Sequence, residues 1–97
     1  MTAAVGSAEI DFGAWPGSNE ASVTVTGQAN IEAAASVESW FMADDTTASH
    51  TEADHRYAPC FISLTSGAAT AGQGFTVYAR STEKMTGAFK VRWVWSN

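Results

Sequence analysis

The densest collection of chemically capable side chains is the run Asp44-Asp-Thr-Thr-Ala-Ser-His-Thr-Glu-Ala-Asp-His-Arg56, with two histidines and four carboxylates in thirteen residues. Imidazole and carboxylate are ligands for divalent metals, so His50, Asp54 and His55 are the candidates for a metal site. The spacing argues against it. His50 and His55 are five apart, whereas two histidines share a helix face when four apart, as in zinc peptidases. No cysteine or distant histidine completes a ligand set. Asp44 and Asp45 lack the spaced oxygens and turn glycine of a calcium loop. The simpler expectation is a structural loop, in which His and Asp side chains bond backbone groups and pin a long connection. Within it, Thr51-Glu-Ala-Asp54 has the form of a capping box and predicts a single helical turn, with His50 and Asp54 on one face.

Other chemistry is sparser. No serine sits in a Gly-x-Ser-x-Gly elbow. Gly72-Gln-Gly74 is not followed by the Lys-Ser/Thr of a phosphate loop. The one cysteine, Cys60, has no disulfide partner in the chain. Its place in Pro59-Cys-Phe-Ile-Ser-Leu-Thr65 predicts a small buried residue sharing a face with Ile62 and Leu64. The expectation is no catalytic residue, no resident metal and no cofactor.

The elements that would position these groups are strands. Gly87-Ala-Phe-Lys-Val-Arg-Trp-Val-Trp95 alternates without a break, placing Phe89, Val91, Trp93 and Trp95 on one face and Lys90, Arg92 and Val94 on the other. Ala8 to Ala14 alternates around Ile10 and Phe12. Trp15-Pro-Gly-Ser-Asn-Glu20 is a turn signal. Ala21 to Gly27 is an amphipathic strand with Val23 and Val25 inward. Residues 28–36 read as a poor helix or a short strand around Ile31. In Val37-Glu-Ser-Trp-Phe-Met-Ala43 both faces carry bulk, Val37 and Phe41 against Trp40 and Met42. Such a strand is central, or one face meets a partner. Ala58 to Ser66 is a strand carrying Ile62 and Leu64. Phe75 to Ser81 is another, with Phe75 and Val77 inward, and it is expected to form a hairpin with the closing strand.

Six or seven short strands with turns about every ten residues predict a single all-β domain over residues 1–97, a small β-sandwich or a jelly-roll-like barrel. No repeat, linker or low-complexity tail interrupts it, which reads as a complete small protein. The first residues lack the basic and apolar regions of a signal peptide.

Charge narrows the partners. Charged residues make up 15% of the chain, below the roughly 25% of an average protein, and the net charge is −5. A generic affinity for nucleic acid or for an anionic membrane is therefore not expected. Tyr78, Arg80, Lys90 and Arg92 could line a basic-aromatic strip, but the acidity opposes it. Residues 1–55 hold nine acids and no Lys or Arg, while residues 56–97 hold all five bases and one acid, Glu83. Pairing between neighbouring strands is the simpler explanation, and complementary faces between copies the sharper one. The four tryptophans are expected in core and interface, with sugar stacking by Trp15 or Trp40 as the alternative.

The runs Val37–His55, Gly72-Gln-Gly-Phe-Thr-Val-Tyr-Ala-Arg80 and Gly87–Trp95 resemble a group of small proteins of tailed bacteriophages, encoded among virion structural genes. The similarity covers most of the chain. It implies a virion component made in the host bacterial cytoplasm, not a catalyst, and carries over no catalytic residues. The expected function is non-enzymatic: a capsid decoration (cement) protein that forms a homo-oligomer. It would bind other virion proteins, the major capsid protein or tail proteins, by shape and charge, with Trp40, Met42, Lys90 and Arg92 at the interface. The alternatives are a tail or fibre-attachment subunit and a carbohydrate-binding module for host adsorption. The expected core is Phe12, Val23, Val25, Phe41, Ile62, Leu64, Phe75, Val77, Phe89, Val91, Trp93 and Trp95.

Overall fold

The computed structural model describes residues 2–97 and contains six strands and one short helix. In chain order these are β1 (Ala3–Asp11), β2 (Ser18–Val25), β3 (Ser36–Phe41), α1 (Glu52–Tyr57), β4 (Ile62–Ser66), β5 (Phe75–Met85) and β6 (Ala88–Ser96). They form two antiparallel three-stranded sheets, ordered β1-β6-β3 and β2-β5-β4. The sheets stack face to face as an open sandwich. No ladder joins them, so the barrel alternative is set aside. No described helix is long and apolar enough to cross a membrane.

Alternation decides which faces meet. Every second residue of β6 from Phe89 to Trp95 is buried, and the intervening residues are not. Opposite them, β5 buries Phe75, Val77, Ala79 and Ser81. Burying an aliphatic or aromatic side chain of this size contributes roughly 1.5–3 kcal/mol. Facing rows of this kind are therefore the main force holding the layers together. Of the expected core, Phe12, Val25, Ile62, Phe75, Val77, Phe89, Val91, Trp93 and Trp95 are buried. Val23, Phe41 and Leu64 are half-buried and pack against it. Ile10, Ile31, Ala58, Ala69 and Ala79 complete the apolar core.

The expected hairpin between the last two strands does not form. β5 and β6 are consecutive but lie in different sheets, β5 between β2 and β4, and β6 between β1 and β3. Both strands bury alternate residues on one face. Crossing from one layer to the other lets the two apolar faces meet, whereas a hairpin would place them side by side. The crossing is made at Thr86–Gly87, where Gly87 has φ +75° and a side chain would overlap Ser49.

The strand expected from Ala58 begins only at Ile62. Residues Ala58–Cys60 form a turn of 3-10 helix with Pro59 at its start, because proline has no N–H to give a ladder. Cys60 is consequently exposed rather than buried. β1 starts at Ala3, well before Ala8, and Ala14 lies beyond it, exposed in the turn closed by the Gly17 N–H on the Ala14 carbonyl. Residues 28–35 form neither helix nor strand. Their turns lay Ile31 over one end of the sandwich, where Trp95 Nε1–H donates to Gln28 Oε1 at 3.0 Å and the Asn97 side chain bonds Asn30 O and Glu32 N–H.

Candidate functional site

The histidine loop closes the other end, over Phe89. Thr51 caps α1: its hydroxyl accepts from Asp54 N–H while Asp54 Oδ2 accepts from Thr51 N–H at 3.0 Å, the reciprocal box expected from the sequence. His50 lies just ahead of the cap. Its Nε2–H donates to Thr86 O at 2.6 Å, and in the doubly protonated ring Nδ1–H donates to Asp54 Oδ2 at 3.1 Å. His55 is wholly buried. Its Nε2 accepts from Lys90 N–H at 2.8 Å, so the ring proton sits on Nδ1 and is donated to Thr51 O at 2.8 Å.

All four ring nitrogens of the two histidines are thus engaged inside the fold. The loop brings His50 and Asp54 together, but it turns His55 inward, toward β6 and away from them. Among the described residues no group of three His, Cys, Asp or Glu side chains is placed to hold a metal ion. The arrangement ties the α1 segment to the edge of β6 through Lys90 and to the β5–β6 crossing through Thr86. The Asp54 carboxyl is held below its ordinary value of 3.8, first by the Thr51 backbone N–H and then by the His50 side chain.

The second candidate is a surface. The outer face of the β1-β6-β3 sheet carries the residues that alternate with the core. Strand register sets them in rows: Val5, Val94 and Glu38; Ser7, Arg92 and Trp40; and Glu9 opposite Lys90. Met42 follows just past the end of β3. Val5 is 74% exposed, Met42 48% and Trp40 38%. Of the four residues expected at an interface, the register sets Trp40, Lys90 and Arg92 on this side of the sandwich, and Met42 is exposed just beyond β3. β3 is an edge strand, not a central one, so burial between neighbours does not account for bulk on both of its faces.

The opposite outer face, on β2-β5-β4, differs in chemistry. Ser22, Thr24, Ser63, Thr65 and Thr76 surround Tyr78, and Arg80 Nη2 bonds Glu20 Oε1 at 2.8 Å. Tyr78 and Arg80 therefore point away from Lys90 and Arg92, and the two pairs do not form one strip. Strand pairing matches only part of the charge segregated along the chain, with one ion pair formed between strands. Arg80 meets Glu20, Lys90 stands opposite Glu9, and within α1 Arg56 pairs with Glu52. Arg92 belongs to no ion pair among the described residues.

The tryptophans divide in the same way. Trp93 and Trp95 face the core, with Trp93 edge-on to Phe75 at 5.4 Å between ring centroids. Trp15 projects from its turn, 86% exposed. Residue contributions that sequence reasoning missed are the backbone contact of His55 with Lys90 and the stacking of His50 on Phe89. Both contacts reach to β6, far along the chain, so no local pattern signals either.

Fold and surface together define a small open β-sandwich with one outer face of mixed charge that exposes Val5 and Trp40, and one hydroxylated outer face. No protein-family model matches the chain, and no match was found among curated proteins or solved structures.

Proposed function

We propose that this chain is a non-enzymatic structural subunit of a tailed-phage particle, a capsid decoration protein that adheres through the outer face of β1-β6-β3. The observation that carries the reading is Trp40 standing exposed beside Arg92 on a regular sheet face, with Val5 on the same side and Met42 exposed just beyond β3. Tryptophan, methionine and arginine are the residues enriched in the cores of protein–protein interfaces. Arg92 lacks an intramolecular ion pair and is available to orient a partner. The resemblance to phage structural proteins supplies the setting, with the major capsid protein as partner and the virion as location. A tail or fibre-attachment subunit would use the same face.

The test is co-sedimentation of the purified chain with capsids of the phage that encodes it, assembled without it. Binding in many copies per capsid is expected, with loss on Trp40→Ala and on Arg92→Glu. Equal binding by wild type and both variants would overturn the role of this face. A handful of copies per particle would overturn decoration in favour of the tail.

A second reading rests on Trp15, whose ring is exposed on a turn as in aromatic platforms for sugars. A glycan array decides it: binding lost on Trp15→Ala supports a carbohydrate-binding role, and silence removes it.

A further inference from the structure

The two sheets have four edges, and three of them are blunted. The β2–β5 ladder breaks register between Ser18 and Glu20. β4 has five residues, and β3 has six and is tied to β4 by a 3.0 Å bond between Ser39 Oγ and Ser66 Oγ. Short length, bulges and side-chain cover are the devices by which sheets avoid pairing with other chains. β1 is neither short nor shifted in register, and among the described residues no side-chain hydrogen bond ties it to β2. It runs nine residues from Ala3 to Asp11 in unbroken register with β6. It contains no proline, lysine or arginine, and its first six residues, Ala3 to Ala8, carry no charge.

The hydrogen-bond pattern identifies the free groups. Asn97 N–H bonds Thr2 O and Phe12 N–H bonds Gly87 O, so the even-numbered residues of this segment face β6. In an antiparallel ladder the alternate residues then direct both N–H and C=O away from that partner. Ala3, Val5, Ser7, Glu9 and Asp11 therefore present a row of unpaired backbone donors and acceptors, and all five are exposed. β2 follows β1 on the same side of the sandwich but in the other layer, and no backbone hydrogen bond joins them.

We propose that β1 pairs antiparallel with β1 of a second copy of this chain, joining the two β1-β6-β3 sheets into one continuous six-stranded sheet. The register that uses every free group is centred on Ser7. It sets Ser7 against Ser7, Val5 against Glu9, and Ala3 against Asp11 of the other copy. Charge permits it. Glu9 of one copy lies four residues along the ladder from its equivalent, about 13 Å away. That exceeds the roughly 10 Å over which salt screens exposed charges. Arg92, beside Ser7 in each copy, adds positive potential near the axis. The pairing places two outer faces side by side, each with its Trp40 and Arg92. It is a property of β1 and stands or falls separately from what those faces bind.

Sedimentation velocity over a concentration series tests it, with Ser7→Glu as the discriminating variant. Within one chain the new carboxylate lies beside Arg92, while across the axis two carboxylates come directly opposite. The wild type is expected to reach twice the chain mass. Ser7→Glu is expected to stay at single mass with its melting temperature kept. In a Cys60→Ser background, Ser7→Cys should form a disulfide-linked dimer under mild oxidation ahead of Glu9→Cys. Paired Cα atoms on the axis stand about 5.5 Å apart, within the reach of a disulfide. A wild type that stays at single mass overturns the proposal. So does a dimer unaffected by Ser7→Glu, or one lost instead on Trp40→Ala, which would indicate face-on-face association.

Discussion

His50 lies flat against Phe89, with ring centroids 3.7 Å apart and planes 15° apart. His55 meets the same Phe89 ring edge-on at 5.5 Å, and Phe12 and Phe41 do so at 6.0 Å. One side chain of the closing strand is thus the hub on which the long polar loop is folded down. Histidines that the sequence offered as candidate ligands serve here as aromatic and hydrogen-bonding clamps.

Removing the hub should cost more than removing either clamp. Phe89→Ala is expected to lower stability by about 3–5 kcal/mol, the usual cost of truncating a buried phenylalanine. His50→Ala removes the stack and the donor to Thr86 O, and is expected to cost about 1–3 kcal/mol. Urea denaturation followed by tryptophan fluorescence ranks the two. An equal effect from both would show that Phe89 does not organise the loop.

His55→Leu keeps much of the volume but leaves Lys90 N–H without its acceptor, while Thr51 O keeps the backbone N–H of residue 55. Leaving a buried polar group unmet costs roughly 1–3 kcal/mol. Hydrogen exchange locates the damage. Faster exchange at the Lys90 amide, with the β2-β5-β4 amides unchanged, is the expected pattern.

The acid limb of stability should depend on Asp54. Its carboxyl is depressed in the folded state, so the unfolded chain binds the proton more readily. The stabilisation is then fully present above the unfolded value, near 3.8, and is lost as pH falls below it through the folded value. Asp54→Asn should lower stability near neutral pH and flatten its fall below about pH 4. Melting curves across pH 2–7, taken as a working range around the ordinary carboxylate values, check both. A wild-type slope retained in Asp54→Asn would place the acid sensitivity elsewhere.

Gly6 faces Trp93 so closely that an added Cβ would overlap Trp93 Cζ2 and crowd its neighbouring ring atoms. Gly6→Val is expected to cost about 1–3 kcal/mol through overpacking. Trp93→Ala alone should cost about 3–5 kcal/mol. In the double variant the clash is gone, so the two losses should not add. Additive losses would mean that the glycine serves some end other than room for the indole.

Much of the fold was legible along the chain because a strand buried on one face must alternate, and β2, β5 and β6 do so clearly. The capping box at Thr51 and Asp54 was legible for a similar reason, since its bonds span only three residues. Cys60 departs from the alternation of Ile62 and Leu64 because it belongs to the 3-10 turn that Pro59 starts, ahead of the first ladder residue. The hairpin between β5 and β6 was misjudged because short connections serve both hairpins and crossings. The loop at Thr86–Gly87 does not itself say which sheet the next strand joins.

The sequence by itself determined the class of structure, the inward row Phe89, Val91, Trp93 and Trp95, and the outward position of Lys90 and Arg92. All of these follow from a two-residue period, which is local. The tertiary structure alone decided that β5 and β6 lie in opposite layers, that β3 is an edge, and that β1 presents an unprotected one. It alone turned His50 and His55 onto Phe89, with ring nitrogens bonded to Thr86, Asp54, Thr51 and Lys90. Contacts of that kind join residues up to 36 positions apart. They depend on how layers stack and strands are ordered, which no local pattern encodes.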